Sequence, residues 1–380
     1  MKMKDVLRIA MLCLGMLCLV SCRYADNSDE AKEVRNIIHK VNTYWQTNHK
    51  AEVNSFWDNA AYHTGNMEAY FLTGNDSYRV YSEAWASHNE WKGAKEKDKS
   101  KWKYDRYGEG EDFVMFGDYQ ICFQTYVDLY NVLPVDYKIA RAREVMEYQM
   151  GTPEKDYWWW ADGLYMVMPV MTKLYHVTGN QMYLEKLYEY ITYSDSIMYD
   201  GETGLYYRDA KYVYPRHMSS NGKKDFWARG DGWVLAGLAK VLKDLPQGYK
   251  HRQFFIDKFV RMAKAVADIQ QPDGYWTRSM MDPEHAPGPE TSGTAFFTYG
   301  LLWGINNGYL DEATYLPVVK KAWDYLKKTA LQEDGRVGYV QPIGEKAIPG
   351  QIVNANSTSN FGVGAFLLAA CEYVRYLEVK

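Results

Sequence analysis

Residues 359–370 read Ser-Asn-Phe-Gly-Val-Gly-Ala-Phe-Leu-Leu-Ala-Ala. A helix built from this stretch, continued to 376, has no polar face to offer water, so it is buried on every side. Five other segments share its apolar, glycine-rich character: 57–72, 117–131, 162–178, 229–244 and 291–307. Between them lie segments with a clear apolar stripe and a polar face: 31–47, 77–92, 136–150, 181–198, 249–270 and 312–330. Strict alternation of buried and amphipathic helices predicts an inner ring and an outer ring. The expected fold is therefore all-α, an (α/α)6 barrel or six-hairpin toroid. An open helical solenoid is the alternative; a chain that starts on an amphipathic helix and ends on a buried one favours closure.

The punctuation agrees. An apolar helix ends, a short turn follows, and a Tyr opens the next amphipathic helix. Leu72-Thr73-Gly74-Asn75-Asp76-Ser77-Tyr78, Leu133-Pro134-Val135-Asp136-Tyr137 and Val177-Thr178-Gly179-Asn180-Gln181-Met182-Tyr183 are instances, as are Leu245-Pro246-Gln247-Gly248-Tyr249 and Asn307-Gly308-Tyr309 leading to Tyr315. Gly, Asn and Pro are the residues expected just past a helix C-terminus, and the weak repeat of two helices plus loops suits stacked hairpins. Gly204-Leu205-Tyr206-Tyr207 and Asp273-Gly274-Tyr275-Trp276 fall in loops and suggest short strands.

Composition narrows the function. A net charge of -4 leaves no basic stripe for neutralising phosphates, so nucleic acid is not an expected partner. The run Lys95 to Lys103 is interrupted by Glu96 and Asp98 and reads as a solvated face. The chain carries 34 Tyr, more than a helical core requires, because each buried hydroxyl needs a partner. Aromatic faces with polar edges suit sugar rings; a large core is the competing explanation. Past the leader only Cys122 and Cys371 remain, each in an apolar stretch, and both read as buried structural thiols. No CxxC or HExxH occurs, so neither a metal nor a cofactor is implied.

In such a barrel the inner helices run the same way, and their N-termini gather at one mouth with free N–H groups and positive dipole ends. The residues at those ends are polar and aromatic: Trp57-Asp58, with His63 further along the helix; Gly117-Asp118; Trp158-Trp159-Trp160-Ala161-Asp162; Trp227-Ala228-Arg229-Gly230-Asp231-Gly232-Trp233; Glu290-Thr291-Ser292-Gly293-Thr294; and Asn356-Ser357-Thr358-Ser359-Asn360. Any one of the Asp, Ser, Thr or Asn residues is an ordinary N-cap. Capping does not account for the tryptophans beside Asp162 or for the Trp-flanked Arg229. Asp162, desolvated by its aromatic neighbours and repelled by Asp118 on the next inner helix, is expected to hold a proton near neutral pH and to act as the general acid. Arg229 offers a planar fork that can hold a carboxylate in two bonds. His63, His88 and His217 read as surface or satisfied core residues.

Three motifs give the chain a family resemblance that covers nearly all of it past the leader: Trp160-Ala161-Asp162-Gly163-Leu164-Tyr165-Met166 with Pro169, Trp227 to Trp233, and Ser292-Gly293-Thr294-Ala295. The chain resembles the unsaturated glucuronyl and galacturonyl (rhamnogalacturonyl) hydrolases of glycoside hydrolase families 88 and 105, the latter more closely. The resemblance implies an (α/α)6 barrel that removes a terminal 4,5-unsaturated uronic acid from lyase-generated oligosaccharides by hydrating the double bond. It implies Asp162 and Asp118 as the catalytic pair. Arg229, Trp233, Trp160, Met166, Trp227, His217, Arg208 and Thr294 are the expected substrate-binding set. The chain departs from the pattern at Asp231, where relatives often have Asn, and at Arg208, where many have His. That replacement implies a different leaving sugar, or a role taken over by His217. A glycosidase of saturated uronides and a non-catalytic surface glycan-binding lipoprotein are the other readings.

The N-terminus reads as a leader. Lys2, Lys4 and Arg8 precede an apolar run, Ile9 to Val20, too short to span a bilayer, and Leu19-Val20-Ser21-Cys22 resembles a lipobox. Cys22 is the expected lipidation site and 1–22 the expected signal, with an ordinary signal peptide as the alternative. A polar tether, 23–30, would lead into one catalytic domain, 31–380. The expectation is an exported protein, in the periplasm or on the outer membrane or cell surface, that touches a membrane only through its acyl chains.

Overall fold

The computed structural model describes residues 28–379. Twelve α-helices alternate through these residues: α1 over 28–48, α2 Trp57–Thr73, α3 Asp76–His88, α4 Cys122–Val132, α5 Tyr137–Met150, α6 Ala161–Thr178, α7 Met182–Met198, α8 Ala228–Asp244, α9 Arg252–Asp268, α10 Thr291–Asn306, α11 Glu312–Tyr325 and α12 Asn360–Val379. The even-numbered helices pack side by side in the order α2, α4, α6, α8, α10, α12, and α12 returns to α2, closing the inner ring. The odd-numbered helices sit outside it. α1 is tied across the seam between first and last hairpins: Asn42 bonds to Asn66 of α2, and Tyr373 of α12 bonds to Glu30. The expected six-hairpin toroid is the observed fold, and the open solenoid is not.

Local chemistry explains where the helices stop. α2 and α6 both end on a left-handed glycine, Gly74 and Gly179, each at φ 69°, whose N–H closes on the carbonyl four residues back. These are the Thr-Gly-Asn turns of the sequence repeat. In α6, Pro169 removes the N–H that would bond the carbonyl of Tyr165. Gln124 of α4 replaces it, donating Nε2 to the carbonyls of Tyr165 and Met166 at 2.8 and 3.0 Å. The seam between α2 and α12 depends on glycines that meet face to face. A Cβ on Gly65 would lie 2.2 Å from the carbonyl oxygen of Gly364, and one on Gly364 would lie 2.3 Å from that of Ala61. At the end of the ring away from the helix N-termini, buried charges stitch the seams: Glu68 of α2 meets Lys243 of α8 at 3.1 Å and Arg375 of α12 at 2.6 Å. Burial favours protonation of Glu68, but Lys243, Arg375 and Lys240 outweigh it and hold its pKa well below the usual value.

Three boundaries differ from the sequence reading. The fourth helix begins at Cys122, because Gly117–Tyr119 forms a 3₁₀ turn whose tighter i to i+3 bonds set Gly117 against the ring of Trp160. α3 ends at His88, where Glu90 and Trp91 turn the chain through positive φ and Trp91 enters the core. Residues 28–30 of the expected tether are already helical, with Asp29 and Glu30 among them. The glycine-aromatic loops make only isolated bridges, such as Tyr199 with Tyr206 and Thr277 with Pro289, because they lack partners long enough for a ladder. Cys122 and Cys371 are both buried and free. Among the described residues no helix is long and apolar enough to cross a membrane. The expected signal, Cys22 and residues 23–27 of the tether lie outside the described residues.

The seam makes a measurable demand. Gly364→Ala is expected to destabilise the fold by about 1–3 kcal/mol through overpacking of backbone against backbone. Gly248→Ala, where an added methyl group meets nothing within 4 Å, should stay within about 0.5 kcal/mol of the parent. Urea unfolding midpoints of the two variants decide it; equal midpoints would remove the glycine seam from the account of closure.

Candidate active site

The N-terminal ends of α2 and α6, and the 3₁₀ turn before α4, border a cavity of about 390 Å³. Trp57, Phe116, Trp159, Trp160 and Met166 supply its apolar walls; Asp118 and Asp162 lie among them; Arg106, Tyr107, Arg208, Lys211 and, from a strap over 341–345, Ile343, Gly344 and Glu345 complete the rim. Trp160 opens α6 in extended conformation and stacks on Phe116 at 5.0 Å. Its neighbour Ala161 donates its N–H to the carbonyl of Arg208, which fastens the 204–212 loop beside the acid pair.

The two carboxylates are 4% and 6% exposed, so water does little to stabilise their charge. Burial raises the pKa of Asp118 well above the usual value, and the charge of Asp162 raises it further. Burial also raises that of Asp162, opposed by the positive charges of Arg208 and Arg229. Two desolvated carboxyls in one cavity hold a proton between them at a pH where exposed ones would not. The residues with orphan atoms line the same cavity. Asp118 Oδ1, Asp162 Oδ2 and Arg208 Nε are each buried without a hydrogen-bond partner, and the last two stand 3.5 Å apart as an ion pair. A native interior seldom leaves such atoms unpaired unless something else comes to meet them.

Of the residues singled out in the sequence, Asp118, Asp162, Trp160, Met166 and Arg208 converge on this cavity. The other five do not. Arg229 was expected to grip a carboxylate; instead its guanidinium is 1% exposed and donates to the carbonyls of Gln341 at 2.6 Å, Pro342 at 3.0 Å and Gly344 at 3.5 Å. It is wedged between the rings of Trp227 and Phe361. Its fork is spent on holding the strap. Trp227 does related work from behind, donating Nε1 to the Gln341 side chain at 2.8 Å. Trp233 is fully buried beneath the mouth among Trp57, Tyr165, Phe296 and Phe361. Thr294 bonds back to the carbonyl of Glu290 and receives the N–H of Trp276. His217 pairs with Asp225 at 2.8 Å behind the 208–212 loop, so it does not stand in for a residue at position 208. His63 bonds Ser82 in the core, as read.

The sequence reading missed Arg106, Tyr107, Lys211 and Glu345. All four sit in loops with no helical period to betray which way they face. The one available signal was Trp159, whose ring carries the guanidinium of Arg106 on one contact and that of Arg208 on another, at 6.0 and 5.6 Å. Among the described residues no group of three or more His, Cys, Asp or Glu is placed to hold a metal ion.

Comparison with known proteins gives consistent matches. The sequence profile of Glycosyl Hydrolase Family 88 matches residues 30–377. The chain is 33% identical to an unsaturated 3S-rhamnoglycuronyl hydrolase of Formosa agariphila, over 98% of this chain and 99% of that one. A solved family 88 glycosyl hydrolase from Bacteroides vulgatus is 64% identical, with a TM-score of 0.90 over 91% of this chain and 99% of that chain. A second solved structure, described as the polysaccharide lyase BACCELL_00875, is 74% identical, with a TM-score of 0.90 over 92% of this chain and 99% of that chain.

The buried acid pair makes a prediction about stability. A carboxyl whose pKa is raised by folding contributes stability that is present below its unfolded pKa, about 3.9, and lost as pH rises through the folded value. Asp118→Asn removes that penalty. The variant is expected to melt at a higher temperature than the parent at pH 7, and the gain should shrink to nothing as pH is lowered below about 4. A lower melting temperature at pH 7 would mean that the Asp118 carboxylate is paired and stabilising.

Proposed function

This chain belongs to glycosyl hydrolase family 88, and we propose that it removes the terminal 4,5-unsaturated uronate from oligosaccharides by hydrating the double bond. The observation that carries the reading is the desolvated Asp118 and Asp162 pair, each with an oxygen that makes no hydrogen bond, beside the Nε of Arg208, which makes none either. In this scheme Asp162, protonated, gives its proton to C4 of the enol ether. Positive charge develops at C5 and is shared with the ring oxygen. Water adds at C5 while the Asp162 carboxylate takes a proton from it, so the acid is regenerated. The C5 hemiketal then opens to a ketone, and the anomeric carbon, now an open hemiacetal, releases the next sugar with its hydrogen. No group attacks the anomeric carbon directly, in contrast to two-carboxylate displacement.

Asp118 keeps the pair from losing its last proton, because a second buried negative charge nearby is costly. In this reading Arg208 balances Asp162 after proton transfer and meets the uronate carboxylate, a role the sequence had given to Arg229. Trp57, Trp160, Phe116 and Met166 exclude bulk water and face the sugar ring. Neither a saturated-uronide glycosidase nor a glycan-binding protein without catalysis is favoured by the relatives. Export and lipidation at Cys22 belong to the same reading: the basic start, the short apolar run and the Leu-Val-Ser-Cys ending support an anchored enzyme outside the cytoplasm.

One observation favours a second chemistry. The 74% identical structure is described as a polysaccharide lyase, and elimination works on the same two carbons in the opposite sense. A base takes the C5 proton, the C4–O bond breaks as its oxygen takes up a proton from the acid, and the double bond forms. A desolvated acid pair with an arginine for the carboxylate can serve that as well.

Ultraviolet absorbance separates the two. Purified protein mixed with unsaturated uronyl oligosaccharides is expected to remove the enol-ether absorbance and release a shortened sugar. Absorbance that instead appears from a saturated uronide would establish elimination. Asp162→Asn should keep the parent's circular dichroism and lose about 10³-fold or more in turnover; a variant that retains most of its turnover would remove Asp162 from the proton-transfer role.

A further inference from the structure

The strap over the mouth carries a carboxylate that the reaction does not use. Glu345 receives the hydroxyl of Tyr212 at 2.6 Å on one oxygen and faces Lys211 at 3.2 Å and Arg208 at 3.4 Å with the other. All three partners belong to the 208–212 loop, so Glu345 latches the strap to that loop across the lip of the cavity. Its side chain is 43% exposed and lines the cavity wall. It stays ionised: burial favours the proton, but the bonds from Tyr212 and Lys211 and the charge of Arg208 outweigh it and lower its pKa. The strap itself has little freedom at its base. Arg229 holds three of its carbonyls, and Gln341 is gripped by Trp227 through its side chain and by Glu290 through its N–H.

The surroundings extend the same sign of charge. On the far side of Arg106 and Trp159 lies an adjoining cavity of about 270 Å³. Asp105, Asp156 and Asp209 line it, and Asp156 Oδ1 is buried with no partner. Lys211, the exposed cation of the lip, is already faced by Asp209 and Glu345. Arg106 makes no ion pair among the described residues, but it shares the wall of that acidic cavity. The two cavities share Arg106 and Trp159, and in the proposed reading the sugar attached to the terminal uronate lies on this side of the acid pair. It meets carboxylate acceptors, which suit hydroxyl donors and repel sulfate or a second carboxylate.

We propose that Glu345 is a specificity-determining residue: by occupying the cations of the 208–212 loop it makes the leaving-side subsite select a neutral, hydroxyl-rich sugar over an anionic one. The inference rests on the uronate-processing reading of the same cavity. Glu345→Gln removes one negative charge from the lip and leaves Arg208 and Lys211 to share Asp209, at 2.8 and 3.8 Å, which shifts the balance there toward an anionic sugar.

The test compares two unsaturated uronyl disaccharides that differ only in an O-sulfate on the reducing sugar. For the parent and for Glu345→Gln, kcat/KM is measured by loss of the double bond, and dissociation constants by quenching of tryptophan fluorescence. The parent is expected to prefer the neutral disaccharide, and Glu345→Gln to narrow the ratio by about tenfold, with less narrowing at high ionic strength. A ratio that does not move in Glu345→Gln, with both substrates affected alike, would reduce Glu345 to a structural latch and overturn the inference. So would a parent that prefers the sulfated sugar. If the double bond survives while both sugars bind, the hydrolase reading fails and the ratio of dissociation constants still decides the role of Glu345. Asp105→Asn, away from the latch, gives an independent check: it should narrow the same ratio in the same direction.

Discussion

An inner helix of a closed six-hairpin ring has no face in water, so every polar group it carries must find a partner inside the protein. Much of the structure follows from that demand. Pro169 takes a donor away from α6, and Gln124 of the neighbouring helix supplies another. α10 starts with no cap of the usual kind, and Glu290, fully buried, accepts the N–H groups of Ser292 and Gly293 and then that of Gln341. Glu68 is kept charged in the interior by two basic side chains from two other inner helices. Where helices have nothing polar to exchange, glycine lets the backbones touch, as between α2 and α12.

Against that background the cavity at the mouth is a place where the demand goes unmet. Three charged groups, on α6, on the 3₁₀ turn before α4 and on the 204–212 loop, reach one small volume with an atom each to spare. The cost of burying them is what raises the carboxyl pKa values, and a raised pKa is what lets an aspartate deliver a proton near neutral pH. The same physics that would make these residues poor structural choices makes them useful chemical ones. Asp231 shows the contrast. It too is fully buried with one oxygen unpaired, but its other oxygen receives the N–H of Tyr206, and it does not line the cavity. It helps fix the loop that carries Arg208.

The strap from Gln341 to Glu345 links ring and mouth. Its anchor, Arg229, is a case in which residue type and neighbourhood were read correctly and purpose was not. An arginine among tryptophans at the start of an inner helix is suited to a carboxylate ligand. Three backbone carbonyls of a segment more than a hundred residues away make equal use of a planar fork, and no local pattern distinguishes the two. That leaves Arg208, one of the two residues at which the chain departs from the family pattern, as the arginine that lines the cavity beside Asp162.

The sequence by itself determined the ring. Alternation of helices that are apolar all round with helices that have one apolar stripe is a statement about which surfaces can face water; nested rings satisfy it for twelve helices, and a chain that starts on an amphipathic helix and ends on a buried one favours closing them over an open solenoid. Gly74 and Gly179, and the placement of Asp162 at a helix start, were legible for the same reason, since backbone conformation and helix polarity are local properties; Asp118 lies instead in the 3₁₀ turn that precedes its helix. Tertiary structure alone decided the rim. Arg208 and Glu345 lie 137 positions apart in sequence, and Arg106, Tyr107 and Lys211 sit in loops without periodicity. Which of their charges face the cavity, and which are already neutralised, depends on loops meeting over the mouth, and electrostatic pairing at that range leaves no trace in residue spacing.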